Sequence, residues 1–125
     1  MTKEQLIVYI AGQYSADPEY PWNDGNCIFR HQSNRKWFAV VQHIPYKKLG
    51  LRQTGETDIV NVKCSPLMAG AYRPQPGVFP GYHMNKDHWL TLLLDGTAGD
   101  ELIRELLEIS FDLTNTIRRS RKGTP

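Results

Sequence analysis

Cysteine is scarce in this chain: 125 residues hold only Cys27 and Cys64, with no CxxC spacing. A disulfide framework and a cysteine-rich metal module are thereby disfavoured, and the expectation is two reduced, buried thiols in a cytoplasmic protein. Long apolar runs are missing too. None approaches the ~20 residues that span a bilayer, so no membrane association is expected. The start, Met1-Thr2-Lys3-Glu4-Gln5, lacks the basic segment and apolar stretch of a signal peptide. Glycine does not occur in a phosphate-loop pattern, because Gly77 and Gly81 are separated by Pro80 and do not open a helix after a strand. Repeats, low-complexity tracts and interdomain linkers are also absent. What is left is one expected domain over residues 1–125, long enough to bury about two thirds of its unfolded surface.

Net charge is small, +2, and does not by itself argue for a nucleic-acid partner. Its distribution is more telling. Cys27 to Lys63 carries Arg30, Arg35, Lys36, Lys47, Lys48, Arg52 and Lys63 against Glu56 and Asp58, 7 − 2 = +5. Residues 1–26 carry Lys3 against Glu4, Asp17, Glu19 and Asp24, 1 − 4 = −3. The chain closes on Arg118-Arg119-Ser120-Arg121-Lys122, a basic tail over 118–125 that is expected to fray.

Local patterns predict the elements. Thr2 with Gln5 reads as a capping box for a helix whose face carries Leu6, Ile10 and Tyr14, and Ser15-Ala16-Asp17-Pro18 stops it. Strands are expected over 27–32, 36–44 and 58–64, the last alternating so that Val60, Val62 and Cys64 oppose Ile59, Asn61 and Lys63. Ser65-Pro66 opens a short helix with Leu67, Met68, Ala71 and Tyr72 as its apolar side. A short strand over 78–82 and a firmer one over 89–94 follow. Asp100 is expected to cap a final helix with Leu102, Leu106, Ile109 or Ser110, Leu113 and Ile117 on its stripe, widened by Ile103 and Leu107. Arg118 and Arg119 would complement its dipole. The order α-β-β-β-α-β-β-α favours an α+β two-layer sandwich, a five-stranded antiparallel sheet with helices on one face.

Three stretches carry a resemblance to the MmcQ/YjbR family. Tyr20-Pro21-Trp22 matches its Pro-aromatic connector, and Val62-Lys63-Cys64-Ser65-Pro66 its strand-end signature. Pro80-Gly81-Tyr82-His83-Met84-Asn85-Lys86 with His88-Trp89, followed by Ser110-Phe111-Asp112-Leu113, is the most specific. Phe111 departs from the family's usual Tyr, so no role of that phenol carries over. The resemblance implies an α-β(3)-α-β(2)-α fold related in topology to type III secretion chaperones. It also implies the double-wing, DNA-binding description attached to family members, which a fold alone does not establish.

The segment 80–89 concentrates imidazoles, an ammonium, an amide and aromatic rings beside a strand. Zinc is disfavoured there: His83 and His88 make two ligands, with Cys64 or Asp87 as speculative additions, where three or four are required. No metal, no cofactor and no catalytic residue is expected. Ser110 should bond back along its own helix, and Cys64 and Lys63 should point to opposite faces. Trp89 is expected in the core. For nucleic acid, Lys63, Lys86, Arg30, Arg35, Lys47 and Lys48 would meet phosphates, while His83, Asn85 and Tyr82 would read or stack on bases. A protein partner, a homodimer or a small ligand is the alternative, through exposed Tyr46, Leu49, Leu51 and Phe79, extended by Trp22.

Overall fold

The computed structural model describes residues 1–115. The expected basic tail, Ile117 and the Arg118–Arg119 pair lie outside them. The elements are α1 (Lys3–Tyr14), β1 (Cys27–Arg30), β2 (Trp37–Pro45), a 3-10 turn (Tyr46–Leu49), β3 (Glu56–Lys63), α2 (Pro66–Tyr72), β4 (Val78–Pro80), β5 (Trp89–Leu93) and α3 (Asp100–Leu113). The strands form one antiparallel sheet in the order β1-β2-β3-β5-β4. This is the α+β fold the pattern predicts.

Local chemistry sets the helix starts. Thr2 and Gln5 form the complete capping box, Oγ1 accepting from the Gln5 N–H at 3.1 Å and Oε1 from the Thr2 N–H at 2.9 Å. Ser65 caps α2 ahead of Pro66. α3 differs from expectation: Gly99 is its N-cap, and Asp100 instead takes the Met1 ammonium at 2.7 Å. α2 differs as well. Its buried residue is Ala69, with Met68 and Tyr72 packed against the core as expected, while Leu67 is 87% exposed and Ala71 is exposed on the other side of the short helix.

The main core lies between sheet and helices. Leu6 and Ile10 of α1 and Ile103, Leu106 and Leu107 of α3 pack on Phe29, Val41, Val60, Val62, Leu90 and Leu92. The α3 stripe is centred on Ile103, Leu106, Leu107 and Ser110, with Leu113 exposed at its margin. A bulge interrupts the β1–β2 ladder: Phe29 pairs with Ala39 and Arg30 with Trp37, which leaves Phe38 unopposed. Phe38 therefore enters the main core beside Ala39, and Trp37 does not.

Ser110 holds that irregularity. Its hydroxyl donates to the Phe38 carbonyl at 2.6 Å and accepts from the Lys63 N–H at 2.8 Å. It thus bonds across to two strands rather than back along α3, because the bulge and the end of β3 offer unsatisfied backbone groups there. The α3 terminus is tied down in turn. Asn34 Nδ2 donates to the Thr114 carbonyl at 2.7 Å, and His31 Nε2 lies 3.1 Å from the Phe111 carbonyl. The Thr114 hydroxyl is donated to the Ser110 carbonyl, so His31 Nε2–H is the donor toward Thr114 Oγ1 at 2.8 Å.

The outer sheet face is not bare. Ile44, Ile59 and Leu93 form a second small cluster under Tyr46, Leu49, Leu51, Phe79 and Tyr82. Tyr46, Leu49, Leu51 and Phe79, expected to be exposed, are partly buried with Tyr82 as the cover of this face. No helix among the described residues is long and apolar enough to cross a membrane.

Candidate nucleic-acid interface

Antiparallel register places the segment 80–89 on the sheet. Lys63 pairs with Trp89, and the Cys64 N–H donates to the His88 carbonyl at 2.8 Å, so the segment returns to the end of β3. Two buried polar side chains in mid-sheet anchor it. Asn61 Nδ2 donates to Gln42 Oε1 at 3.0 Å and to the Tyr82 carbonyl at 3.3 Å. The Thr91 hydroxyl accepts from the Tyr82 N–H at 2.8 Å and donates to Asn61 Oδ1. A buried polar group needs such partners, and here the partners belong to the loop. Neither Asn61 nor Thr91 stands out as a site residue in the sequence; a polar residue in the middle of an apolar strand is the signal that singles them out.

Close packing completes the anchor. A Cβ on Gly81 would lie 2.7 Å from Trp89 Cβ and 3.0 Å from the Trp89 carbonyl oxygen. The Gly81 N–H donates to that same carbonyl at 3.0 Å. Within the loop, Asn85 Oδ1 accepts from the Asp87 N–H at 2.9 Å, and Lys86 Nζ donates to the Gly81 carbonyl at 3.0 Å. Arg73 donates to the Lys86 carbonyl. His83 sits in the left-handed region, φ 56°, with its ring stacked on Tyr82 at 3.9 Å. Asn85 and Lys86 thus shape the loop as well as presenting polar groups on its surface.

The other predicted cations separate into groups. Lys63 is half-buried, with its ammonium 5.3 Å from the centre of the Trp89 ring. Trp89 itself is half-buried on the outer face rather than in the core, because its strand neighbours Leu90 and Leu92 take the inner face. Lys48 and Lys86 line one shallow cleft of about 150 Å³ with Leu49, Phe79, Pro80 and Tyr82. Lys47 lies with Arg52 and Glu56 in a cleft of about 410 Å³ within the loop joining β2 to β3. That concavity is of mixed charge and confined to one loop and the strand ends beside it. Arg35 is exposed in the β1–β2 turn at φ 63°. Arg30 is occupied, making a two-point ion pair with Glu19 at 2.7 and 2.8 Å.

The tryptophans are the feature that residue-by-residue inspection misses. Trp37 and Trp89 line one cleft of about 330 Å³ together with Lys36, Lys63, Leu113 and Thr114. Trp22, 45% exposed, meets Trp37 edge to face at 6.0 Å. Every tryptophan of the chain therefore collects at this end of the sheet.

Ionisation follows burial. Desolvation pushes the Cys64 thiol up, with only partial opposition from Arg73 and Lys63, and it pushes Cys27 up as well. Neither is an activated nucleophile. Cys64 lies in the main core while Lys63 faces outward, as strand alternation requires. Among the described residues, no three His, Cys, Asp or Glu side chains converge as metal ligands do. His43 bonds Asp58 at 2.8 Å and Glu56 at 3.0 Å, and those carboxylates raise its pKa.

Known proteins share this architecture. A crystal structure of a Pseudomonas syringae protein has 39% sequence identity and a TM-score of 0.89, covering 92% of this chain and 100% of that one. A Deinococcus radiodurans protein gives 28% and 0.61, covering 88% and 79%. The protein YyaQ of Bacillus subtilis is 37% identical over 116 residues, 91% of this chain and 98% of its own length. YjbR of Escherichia coli K12 is 42% identical over 53 residues, 42% of this chain and 45% of its own. The YjbR family model matches residues 11–113, which takes in every strand and the segment 80–89, and the chain belongs to the YjbR family.

Proposed function

We propose that this protein binds DNA through the outer face of its sheet and the loops that flank it, contacting phosphates and carrying out no catalysis. The observation that supports this reading is the segregation of charge between the two layers. Glu4 on α1 and Asp100, Glu101, Glu105, Glu108 and Asp112 on α3 stand against Lys3 and Arg104. On the other side Lys63 on the open part of the sheet, Lys36 beside it, and Lys48 and Lys86 across the loop cover outnumber Asp87 of the same loop and Asp95, which accepts from the Tyr46 hydroxyl. Among the described residues none of these four lysines is in an ion pair.

A polyanion approaching this molecule is attracted by one layer and repelled by the other, and attraction of that kind positions a phosphate backbone without reading its sequence. Arg30, held by Glu19, contributes less to this field than its position suggests. Part of the surface of Tyr46, Leu49, Leu51 and Phe79 is used in covering the second cluster, which supports the nucleic-acid reading over the interaction-module reading.

Direct titration of a random-sequence duplex tests the proposal. Binding should appear at low salt and weaken steeply toward physiological ionic strength, as counterion release requires. Absence of any complex at low salt with micromolar protein, for the duplex and for a single strand alike, would refute it.

A further inference from the structure

We propose that the Trp37–Trp89 cleft accepts an unpaired nucleobase, so that the preferred ligand is single-stranded nucleic acid rather than an intact duplex; this rests on the nucleic-acid reading above and specifies its substrate class. Phosphate contacts alone give no reason for tryptophan. Lysines on a convex or flat polar surface would bind a duplex backbone equally well, since duplex bases stack on one another and offer only their edges in the grooves. Here two half-buried indoles line a concavity of about 330 Å³, within the size range of small-molecule sites. Aromatic rings set in a cationic groove are the arrangement by which proteins hold single strands, because every base has a face that can stack.

The cations complete the argument. Lys36 and Lys63 line the same cleft, so a base entering it brings its flanking phosphate to an ammonium. Lys63 Nζ already sits 5.3 Å from the Trp89 ring centre. A base taking that place on the indole face releases the ammonium to the phosphate beside it. Trp22 meets Trp37 edge to face at 6.0 Å and extends that wall. Among the described residues no carboxylate lines the cleft.

The test compares two probes on the full chain, a short oligothymidine and a duplex closed by hairpins so that it has no unpaired ends. The single strand should quench tryptophan fluorescence and bind about tenfold or more tightly than the closed duplex. Trp89→Ala should weaken the single strand by about tenfold or more while leaving the duplex within about twofold. Trp89→Phe and Trp37→Phe, which keep a flat ring and a folded protein, should retain most of the single-strand affinity. Equal affinity for both probes, unmoved by Trp37→Ala or Trp89→Ala, overturns this inference and leaves the phosphate-binding reading standing. Binding of neither probe at low salt overturns that reading, and this inference with it.

Discussion

At the scale of single residues, the side chains that matter most for the shape of this surface are polar and buried. Ser110 is fully buried and serves two strands at once, at the Phe38 carbonyl and the Lys63 amide. Ser110→Ala would leave both groups without their partner, at a cost of roughly 1–3 kcal/mol for a buried unsatisfied group. Urea denaturation should show a lower midpoint with an unchanged slope. The two bonded histidines give stability opposite dependences on pH. Burial depresses the pKa of His31, so its contribution is complete above the ordinary value near 6.5 and is lost as pH falls through the lowered one. The carboxylates of Asp58 and Glu56 raise that of His43, so its contribution is complete below about 6.5 and is lost as pH rises through the raised value. In paired melts, His43→Ala should therefore lag the parent protein more at mildly acidic than at mildly alkaline pH. A deficit that grows with pH would contradict the assignment.

At the scale of elements, what could be read from sequence divides by range. The Thr2–Gln5 box and the Ser65–Pro66 start are settled within four residues, and both appear as their residues predict. All five strands and the antiparallel character of the sheet follow from alternation and short connections, whereas the placing of β5 between β3 and β4 joins strands separated by α2 and β4. The bulge at Phe38 was not legible, because the group that stabilises it is Ser110, far along the chain. The same limit misplaced Trp89: its size and apolar character point to the core, whereas its outward position is set by Leu90 and Leu92 facing inward. The cover over Ile44, Ile59 and Leu93 was hidden for a related reason, since it depends on two loops meeting across the sheet. The segment 80–89 was recognisable by composition, yet Asn61 and Thr91, which seat it, were not. Gly81 shows how tightly that seat fits. Gly81→Ala should force β4 and the loop away from Trp89, costing about 1–3 kcal/mol as overpacking does. Thermal melts, together with a loss of the Tyr82–His83 ring contact in NMR spectra, would register the displacement.

At the scale of the whole molecule, the fold acts as a divider of charge. Two helices carrying six of the thirteen Asp and Glu residues occupy one side of the sheet, and the opposite side exposes lysines, tryptophans and one anchored loop. The packed core sets the strands and loops that carry those groups, and Lys36, Lys48, Lys63 and Lys86 are in no ion pair among the described residues. The measurement that tests this account most directly is the salt dependence of nucleic-acid affinity for the parent protein and for Lys48→Ala/Lys63→Ala. The account predicts a straight decline of log affinity with log salt, and a slope smaller by about 1.4–1.8 in the double variant, at roughly 0.7–0.9 per lost phosphate contact. An identical slope in the two proteins, or an affinity indifferent to salt, would contradict it.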